Sequence, residues 1–390
     1  MKKKRAPRLD RIHIVWSIVI VILVCFSGVA VWRLVRLLPK ENARERLEGS
    51  IVRQGKWFAK NQTEEGDFVY ERISASGEVK EGNNIVRQAG ALYGLGQLYA
   101  HTKDPEVAAT IEKGLGYFRE ITATMSAEAS AITYNEVTNT NTTALLVLGL
   151  VEYLEVDEAL QTTENLEYLV RLSNYLVSTQ TSTGAYINTY KPTPSESDYN
   201  NGETMYALIR SYRLTRKQPY LLSVKRMANY AIFHYGPRDY NSSFFSWGMA
   251  GFAHLYQVEP DEKYWEFMRA YAVKYMVSRG NGYEQYLSGK TKEPIIPSAS
   301  VFLEGVSHIA WIAKEKDVSF SNMLTRHTQR VLQHLLMYEI NSPYGAFVSE
   351  SDVVTGAVCA TVGCETTRID FLQHNMSAII LYFRFLSGSV

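Results

Sequence analysis

An all-α fold, built as a ring of paired helices, is predicted by three features of this 390-residue sequence. From about residue 40 onward, apolar residues recur at three- and four-residue spacing with hardly a break, as helices with one buried face require. Those helices alternate in character, first charged and amphipathic, then small, apolar and aromatic. The alternation repeats about six times with a period of roughly 45–70 residues, which marks a repeat architecture. The connections are also unequal, long from charged to apolar helices except at 236–241 and mostly short on the way back. Elaborated loops then gather at one end, where such a scaffold carries its function.

The charged set forms an outer layer: Arg44–Asn61, Asp104–Thr122, Asn165–Thr179, Gln218–Tyr235, Asp261–Arg279 and Ser319–Ile340. Asp104-Pro105 and Glu259-Pro260-Asp261 are helix starts, with Pro at or near the first helical position. The low-charge set forms the inner layer: Asn84–Tyr99, Asn141–Leu154, Tyr199–Leu214, Ser242–Val258, Ser298–Ala313 and Arg368–Leu386. The first of these shows the design. Asn83 or Asn84 supplies a cap, Arg87 and Gln88 follow, and then Ala89, Gly90, Ala91, Gly94 and Gly96 let neighbours approach. A glycine costs about 1 kcal/mol against Ala in a helix interior, so three of them imply a packing reason.

The long connections are 63–83, 124–140, 180–198, 280–297 and 341–367. Gln62-Thr-Glu-Glu-Gly66-Asp-Phe68 and Gln180-Thr-Ser-Thr-Gly184-Ala-Tyr186 share a Gln-x3-Gly-x-aromatic signature. Asn341-Ser-Pro-Tyr-Gly345-Ala-Phe347 is a variant of it and Gly282-Tyr283 a remnant. Each reads as a polar turn, a Gly and a short aromatic strand folding back over the mouth of the ring.

The N-terminus has a different character. Lys2, Lys3, Lys4, Arg5, Arg8 and Arg11 precede an apolar run from Ile14 to Trp32, close to the ~20 residues a bilayer-spanning helix needs. A cleavable signal peptide has a shorter apolar region, of about 7–15 residues, although Gly28-Val-Ala30 offers a small-residue cleavage site. Positive charge is denser before the run than after it, which places residues 1–12 in the cytoplasm. The domain organisation expected is a basic tail at 1–12, a transmembrane helix at 13–36 and an extracytoplasmic domain at 41–390. The protein is thus expected at the cell membrane, single-pass, with a periplasmic or extracellular C-terminal domain. Of three cysteines, Cys25 lies in the apolar run, while Cys359 and Cys364 belong to the domain. Such a compartment permits a disulfide between them, and two unpaired thiols remain the alternative.

The helix alternation, the loop asymmetry and the Gln-x3-Gly-aromatic turns together resemble the six-hairpin (α/α)6 toroid of many carbohydrate-active enzymes. The resemblance spans roughly residues 42–388. Asn84-Ile-Val-Arg-Gln-Ala-Gly90 and Arg368-Ile-Asp-Phe-Leu-Gln-His374 look like the segments such proteins place at inner-helix starts. It implies a carbohydrate-active protein: glycoside hydrolases, unsaturated-uronyl hydrolases and sugar epimerases share the architecture.

Net charge is +1, from 41 basic and 40 acidic residues, so nothing global points to nucleic acid. Six helix N-termini converging on a pocket favour hydroxyl-rich or anionic ligands. Glycoside hydrolysis needs one carboxyl to protonate the leaving oxygen and another to activate water or attack. Glu203 and Asp198, in Asp198-Tyr-Asn-Asn-Gly-Glu203, are the favoured pair, against a purely structural role as cap and first-turn acid. Glu304 is a lone carboxylate on an uncharged inner helix, with His308 one turn on as a structural partner. Asp370 and His374 lie one turn apart, an arrangement that can orient an imidazole as a base or simply close the last hairpin.

Arg87 offers a bidentate fork for a uronate carboxylate. With Asn84, Gln88 and Arg368 it reads as substrate grip, and Asp67, Glu71 and Glu136 are further polar candidates in the mouth loops. Among 26 Tyr, 15 Phe and 6 Trp, many fall on the mouth side, and Tyr199 and Trp247 are singled out for stacking on sugar faces. Cys359, Cys364 and His374 match no standard metal-ligand spacing, and no cofactor motif is present.

The expectation is an enzyme that hydrolyses or modifies an acidic polysaccharide or oligosaccharide, with epimerase or lyase chemistry second. The alternative is a non-catalytic toroid that binds glycan or a protein partner in an envelope complex.

Overall fold

The computed structural model describes residues 42–189 and 195–386. The chain divides into two units, residues 1–46 and 47–390. In the first, Asn42 caps a helix, its Oδ1 accepting from the amides of Arg44 and Glu45 at 3.0 Å each. The expected transmembrane segment 13–36 lies outside the described residues. Among those described, no helix is long and apolar enough to cross a membrane.

The second unit is a ring of helical hairpins. Its outer helices are α1 (Ala43–Lys60, continuing from the first unit), α3 (Pro105–Glu120), α5 (Thr163–Ser178), α7 (Gln218–Tyr235), α9 (Glu262–Tyr275) and α12 (Val318–Leu335). Its inner helices are α2 (Ile85–Thr102), α4 (Thr140–Leu154), α6 (Asp198–Thr215), α8 (Ser242–Val258), α11 (Ala299–Lys316) and α13 (Ile369–Phe385). A short helix, α10 (Asn281–Leu287), follows α9 through a π-helical turn at Met276–Gly280. Gly282-Tyr283 is therefore helical. It forms no mouth turn, because the preceding outer helix runs on through the π turn.

Burial follows the two sequence patterns. On α3 the buried residues are Val107, Thr110, Ile111, Gly114, Leu115 and Phe118, a single stripe at three- and four-residue spacing. On α4 every residue is buried, as an inner layer enclosed on all sides demands. Consecutive inner helices pack side by side, and α13 packs against α2 to close the ring. The close approach that the small residues foretold is visible between α2 and α4. A Cβ added at Gly149 would lie 3.0 Å from the amide nitrogen of Tyr93, and one at Gly96 would lie 3.0 Å from the carbonyl of Gly149.

The all-helical expectation holds for the ring itself, while its mouth carries short strands. These are β1 (Glu71–Ile73), β2 (Val79–Lys80), β3 (Thr122–Thr124), β4 (Ser130–Tyr134), β5 (Val137–Thr138), β6 (Ile187–Asn188), β7 (Ser195–Glu196) and β8 (Thr366–Arg368). They form antiparallel sheets in the orders β2-β1-β8, β3-β4-β5 and β6-β7. Pairing of β1 with β8 sets Glu71 opposite Arg368, so the first mouth loop is stitched to the start of the last inner helix.

The repeated Gln-x3-Gly turn has a specific job. Gln62 Nε2 donates to the carbonyls of Gly66 and of Thr110 on α3, both at 2.9 Å. Gln180 Nε2 donates likewise to Gly184 at 2.9 Å and to Ser223 on α7 at 2.8 Å. Each glutamine thus closes its own turn and ties it to the next outer helix. Cys359 and Cys364 are joined by a disulfide with Cα atoms 4.7 Å apart, in the segment that leads into β8.

Candidate active site

Each inner helix begins at the mouth, and its N-cap sets the register of the residues along it. The caps are Asn84, Asn139, Ser197, Asn241, Ser298 and Arg368. Residues equally far from their caps come together around one cavity on most of the six helices. Six positions on stand Gly90, Leu145, Glu203, Trp247, Glu304 and His374. All of these except Glu304 line one axial cavity of about 480 Å³, and Glu304 sits directly behind His374. Two positions after the cap, Val86, Asn141, Tyr199 and Asp370 line the same cavity from four helices.

Glu203 is 5% exposed, and its partner is the Asn141 side-chain amide, which donates to Oε2. Among the described residues no cation pairs with it. Burial therefore pushes its carboxyl up to about 8, with the Asn141 bond opposing that only in part. Trp247 walls the cavity beside it, its ring 6.0 Å from that of His374 and 5.7 Å from that of Tyr93.

Across the mouth, Asp370 is held by two guanidiniums. Arg368 approaches as a fork, Nε to Oδ1 at 2.7 Å and Nη2 to Oδ2 at 3.0 Å. Arg87 adds Nε to Oδ2 at 3.1 Å, while its Nη1 bonds the Tyr70 hydroxyl. Both arginines line the cavity, so it presents two cations against one paired carboxylate.

His374 is oriented by Glu304. Its Nδ1 lies 3.3 Å from each carboxylate oxygen of Glu304, which leaves Nε2 free to act on a ligand. The spacing of Asp370 and His374 pointed to Asp370 as the orienting group. The neighbouring helix α11 supplies the carboxylate, and Asp370 faces the arginines. The expected pairing of Glu304 with His308 also fails, since His308 Nδ1 bonds the Glu304 backbone carbonyl at 2.8 Å.

The cavity brings together Asn84, Arg87, Tyr199, Glu203, Trp247, Arg368, Asp370 and His374 of the residues singled out from sequence. Asn84 also caps α2, accepting from the amides of Val86 and Arg87 at 3.1 and 3.2 Å. Other candidates lie elsewhere. Asp198 accepts from Tyr235 at 2.7 Å and Asn241 at 2.8 Å, and opens on a separate depression beside the axial one. Gln88 is fully buried, its amide clamping the backbone of Phe68 through N–H at 2.9 Å and C=O at 2.8 Å. Asp67 is tied within its turn to Thr63 and to Asn83 at 3.4 Å. Glu71 pairs with Lys80 at 3.2 Å on the sheet. Glu136 forms, with Asn135, the two-residue turn of the β4–β5 hairpin, both with positive φ (64° and 50°).

Gln88 belongs to a series. Four positions after their caps, Gln88, Thr143 and Asn201 accept from the amides of Phe68, Ile132 and Tyr186, fixing a mouth-loop segment to the starts of three inner helices. Asn141 went unnoticed in the sequence because amides at helix starts read as caps; its distance of two from Asn139 was the available signal.

No protein-family model and no curated protein matches the sequence. Solved structures do match its fold. An α-mannanase of glycoside hydrolase family 76 from Bacteroides thetaiotaomicron aligns with TM-score 0.63 at 10% identity, over 90% of this chain and 98% of that one. An unsaturated glucuronyl hydrolase specific for heparin aligns with TM-score 0.62 at 13% identity, over 87% and 97%. Cellobiose 2-epimerase from Spirochaeta thermophila aligns with TM-score 0.63 at 12% identity, over 88% and 96%. The fold is the six-hairpin (α/α)6 toroid.

Proposed function

We propose that the protein is a carbohydrate-processing enzyme that hydrolyses an acidic polysaccharide in the axial cavity. The observation that carries this reading is Glu203, a buried carboxyl with no cationic partner among the described residues, facing a cavity whose far wall holds an oriented imidazole. With its pKa pushed up to about 8, Glu203 holds its proton at neutral pH and can deliver it to a departing glycosidic oxygen. His374, its Nδ1 held by Glu304, takes a proton from water at Nε2. Arg87 and Arg368, only partly neutralised by Asp370, receive the uronate carboxylate, and Tyr199 and Trp247 offer ring faces to the sugar. The fold supports the reading, since its structural neighbours include hydrolases of mannan and of unsaturated glucuronyl sugars.

Epimerisation or elimination at a uronate is the second reading, favoured by the same two arginines, which would stabilise charge developing beside a carboxylate. The two readings differ in whether water enters the product. Incubation of the full chain with uronate-containing polysaccharides in ¹⁸O-labelled water is expected to give new reducing ends carrying the label. Product without label, or exchange of a ring C–H without chain cleavage, contradicts hydrolysis and favours the second reading.

We further propose that residues 13–36 anchor the chain in the membrane and that the toroid acts outside the cytoplasm. The apolar run, the basic residues ahead of it and the Cys359–Cys364 disulfide support this placement. Protease added to cells stripped of any outer membrane and wall, with the cytoplasmic membrane intact, should degrade the domain; protection until that membrane is lysed contradicts it.

A further inference from the structure

The opposite end of the toroid carries a second depression, of about 320 Å³, to which the C-terminal part of every inner helix contributes. Its lining includes four cations, Lys103, Arg210, Arg213 and Arg384, and two carboxylates, Glu152 and Glu155. The carboxylates are already committed. Glu152, 2% exposed, receives Arg210 Nη1 at 2.6 Å and Arg384 through Nη1 at 3.1 Å and Nη2 at 3.0 Å. Glu155 receives Arg210 Nη2 at 2.6 Å.

Lys103 and Arg213 remain. Among the described residues no carboxylate lies within ion-pair distance of either. Arg213 gives Nη1 to Nδ1 of His254 at 2.6 Å, so that imidazole is neutral with its proton on Nε2 and does nothing to offset the guanidinium charge. The His254 ring is 3% exposed and its Nε2 has no hydrogen-bond partner. Lys103 ends α2 with a left-handed backbone (φ 57°), its ammonium 6.0 Å from the Tyr99 ring. Helix C-termini favour nearby cations, which accounts for positive charge at this end. It does not account for a concave site in which four cations face only two carboxylates, both of them bonded to Arg210 or Arg384.

We propose that this depression binds a doubly charged phosphate group, as inorganic phosphate or a phosphate monoester, between Lys103 and Arg213. Two uncompensated cations match a dianion better than the single charge of a carboxylate, and a guanidinium fork fits phosphate oxygens. The stacked Trp311 and Phe385 rings, 4.4 Å apart and 4° from parallel, give the site a rigid apolar wall against which an ester's organic part would lie. The site is distinct from the axial cavity and its occupation does not depend on the reaction proposed there.

Calorimetric titration of the full-length protein with inorganic phosphate, glucose 6-phosphate and galacturonate tests this. Saturable phosphate binding is expected. Lys103→Gln and Arg213→Gln should each weaken it about tenfold, while Lys292→Gln, which removes an equal charge from an exposed loop, should not change it. Tighter binding of glucose 6-phosphate than of inorganic phosphate would identify an ester as the ligand, and equal binding the free anion. Absence of saturable binding, or the same affinity in all three variants, overturns the proposal. So does a site whose Lys103- and Arg213-dependent ligand is galacturonate and not phosphate. Both tested side chains are exposed, and unchanged circular dichroism spectra would exclude misfolding.

Discussion

A carboxyl removed from water without a cation beside it keeps its proton, and in this molecule that carboxyl is Glu203. If it is the acid, the rate falls as pH rises through about 8, where its proton is lost. A pH profile flat through that range would remove Glu203 from the acid role. The same shift has a stability consequence of fixed sign. The folded chain binds this proton more tightly than the unfolded one, whose carboxyl titrates near 4.5. The contribution is whole below about pH 4.5 and is lost as pH rises toward 8, at roughly 1.4 kcal/mol per unit of separation. Glu203→Gln should therefore melt at a higher temperature than wild type at pH 9 and show little advantage at pH 4. Residue-scale chemistry was partly legible in the sequence. Glu203 and His374 could be named because a charged or titratable group on a small, apolar helix stands out. Glu304 stood out for the same reason, but its pairing with His374, and that of Glu203 with Asn141, did not, because these partners come from neighbouring helices whose rotation about their own axes no single-chain pattern reveals.

At the scale of elements, the Gln-x3-Gly turns and the first helical turns work as matched parts. Gly184 has φ of +103°, and a Cβ there would stand 2.7 Å from the carbonyl of Arg226 on α7. Gly184→Ala is expected to cost about 2 kcal/mol or more, read as a lower midpoint in urea; an unchanged midpoint would show that the turn relaxes freely. The sequence displayed this motif twice, yet placed its function loosely at the mouth. Its glutamine ties the turn to the next outer helix, and the clamping side chain four residues past the cap holds the strand. Gln88 looked like a ligand group for that reason: an amide on the mouth side of an inner helix serves backbone or sugar equally well, and only the position of Phe68 decides. Asp198 misled in a similar way, since Tyr235 and Asn241, which hold it, are 37 and 43 residues away.

The ring as a whole is closed by packing of α13 on α2, by the β1–β8 pairing at the mouth, and by charge at the other end. There Glu152 ties α4 to α6 and α13 through Arg210 and Arg384. Burial alone would raise the Glu152 carboxyl, and the two arginines outweigh it and bring it down to about 2. That stabilisation is present above about pH 4.5 and is lost as pH falls toward 2. Glu152→Gln removes the carboxylate shared by Arg210 and Arg384, leaving Arg210 with Glu155 alone, and should cost roughly 3 kcal/mol in denaturant unfolding, where a loss under about 1 kcal/mol would mean that the arginines find other partners. The whole-molecule plan was the most legible level, because the inner/outer alternation is a statement about burial and burial is what composition records. The sets of residues at fixed distance from the caps were less so, since helix starts must be placed to the residue before the sets align.

Everything proposed for the axial cavity depends on Glu203 serving there as the acid. The measurement that tests it most directly compares wild type with Glu203→Gln for release of reducing ends from uronate polysaccharides near neutral pH. Robust release by wild type and a loss of about 10²-fold or more in the folded variant are expected. Equal release from the two proteins would contradict this role for Glu203.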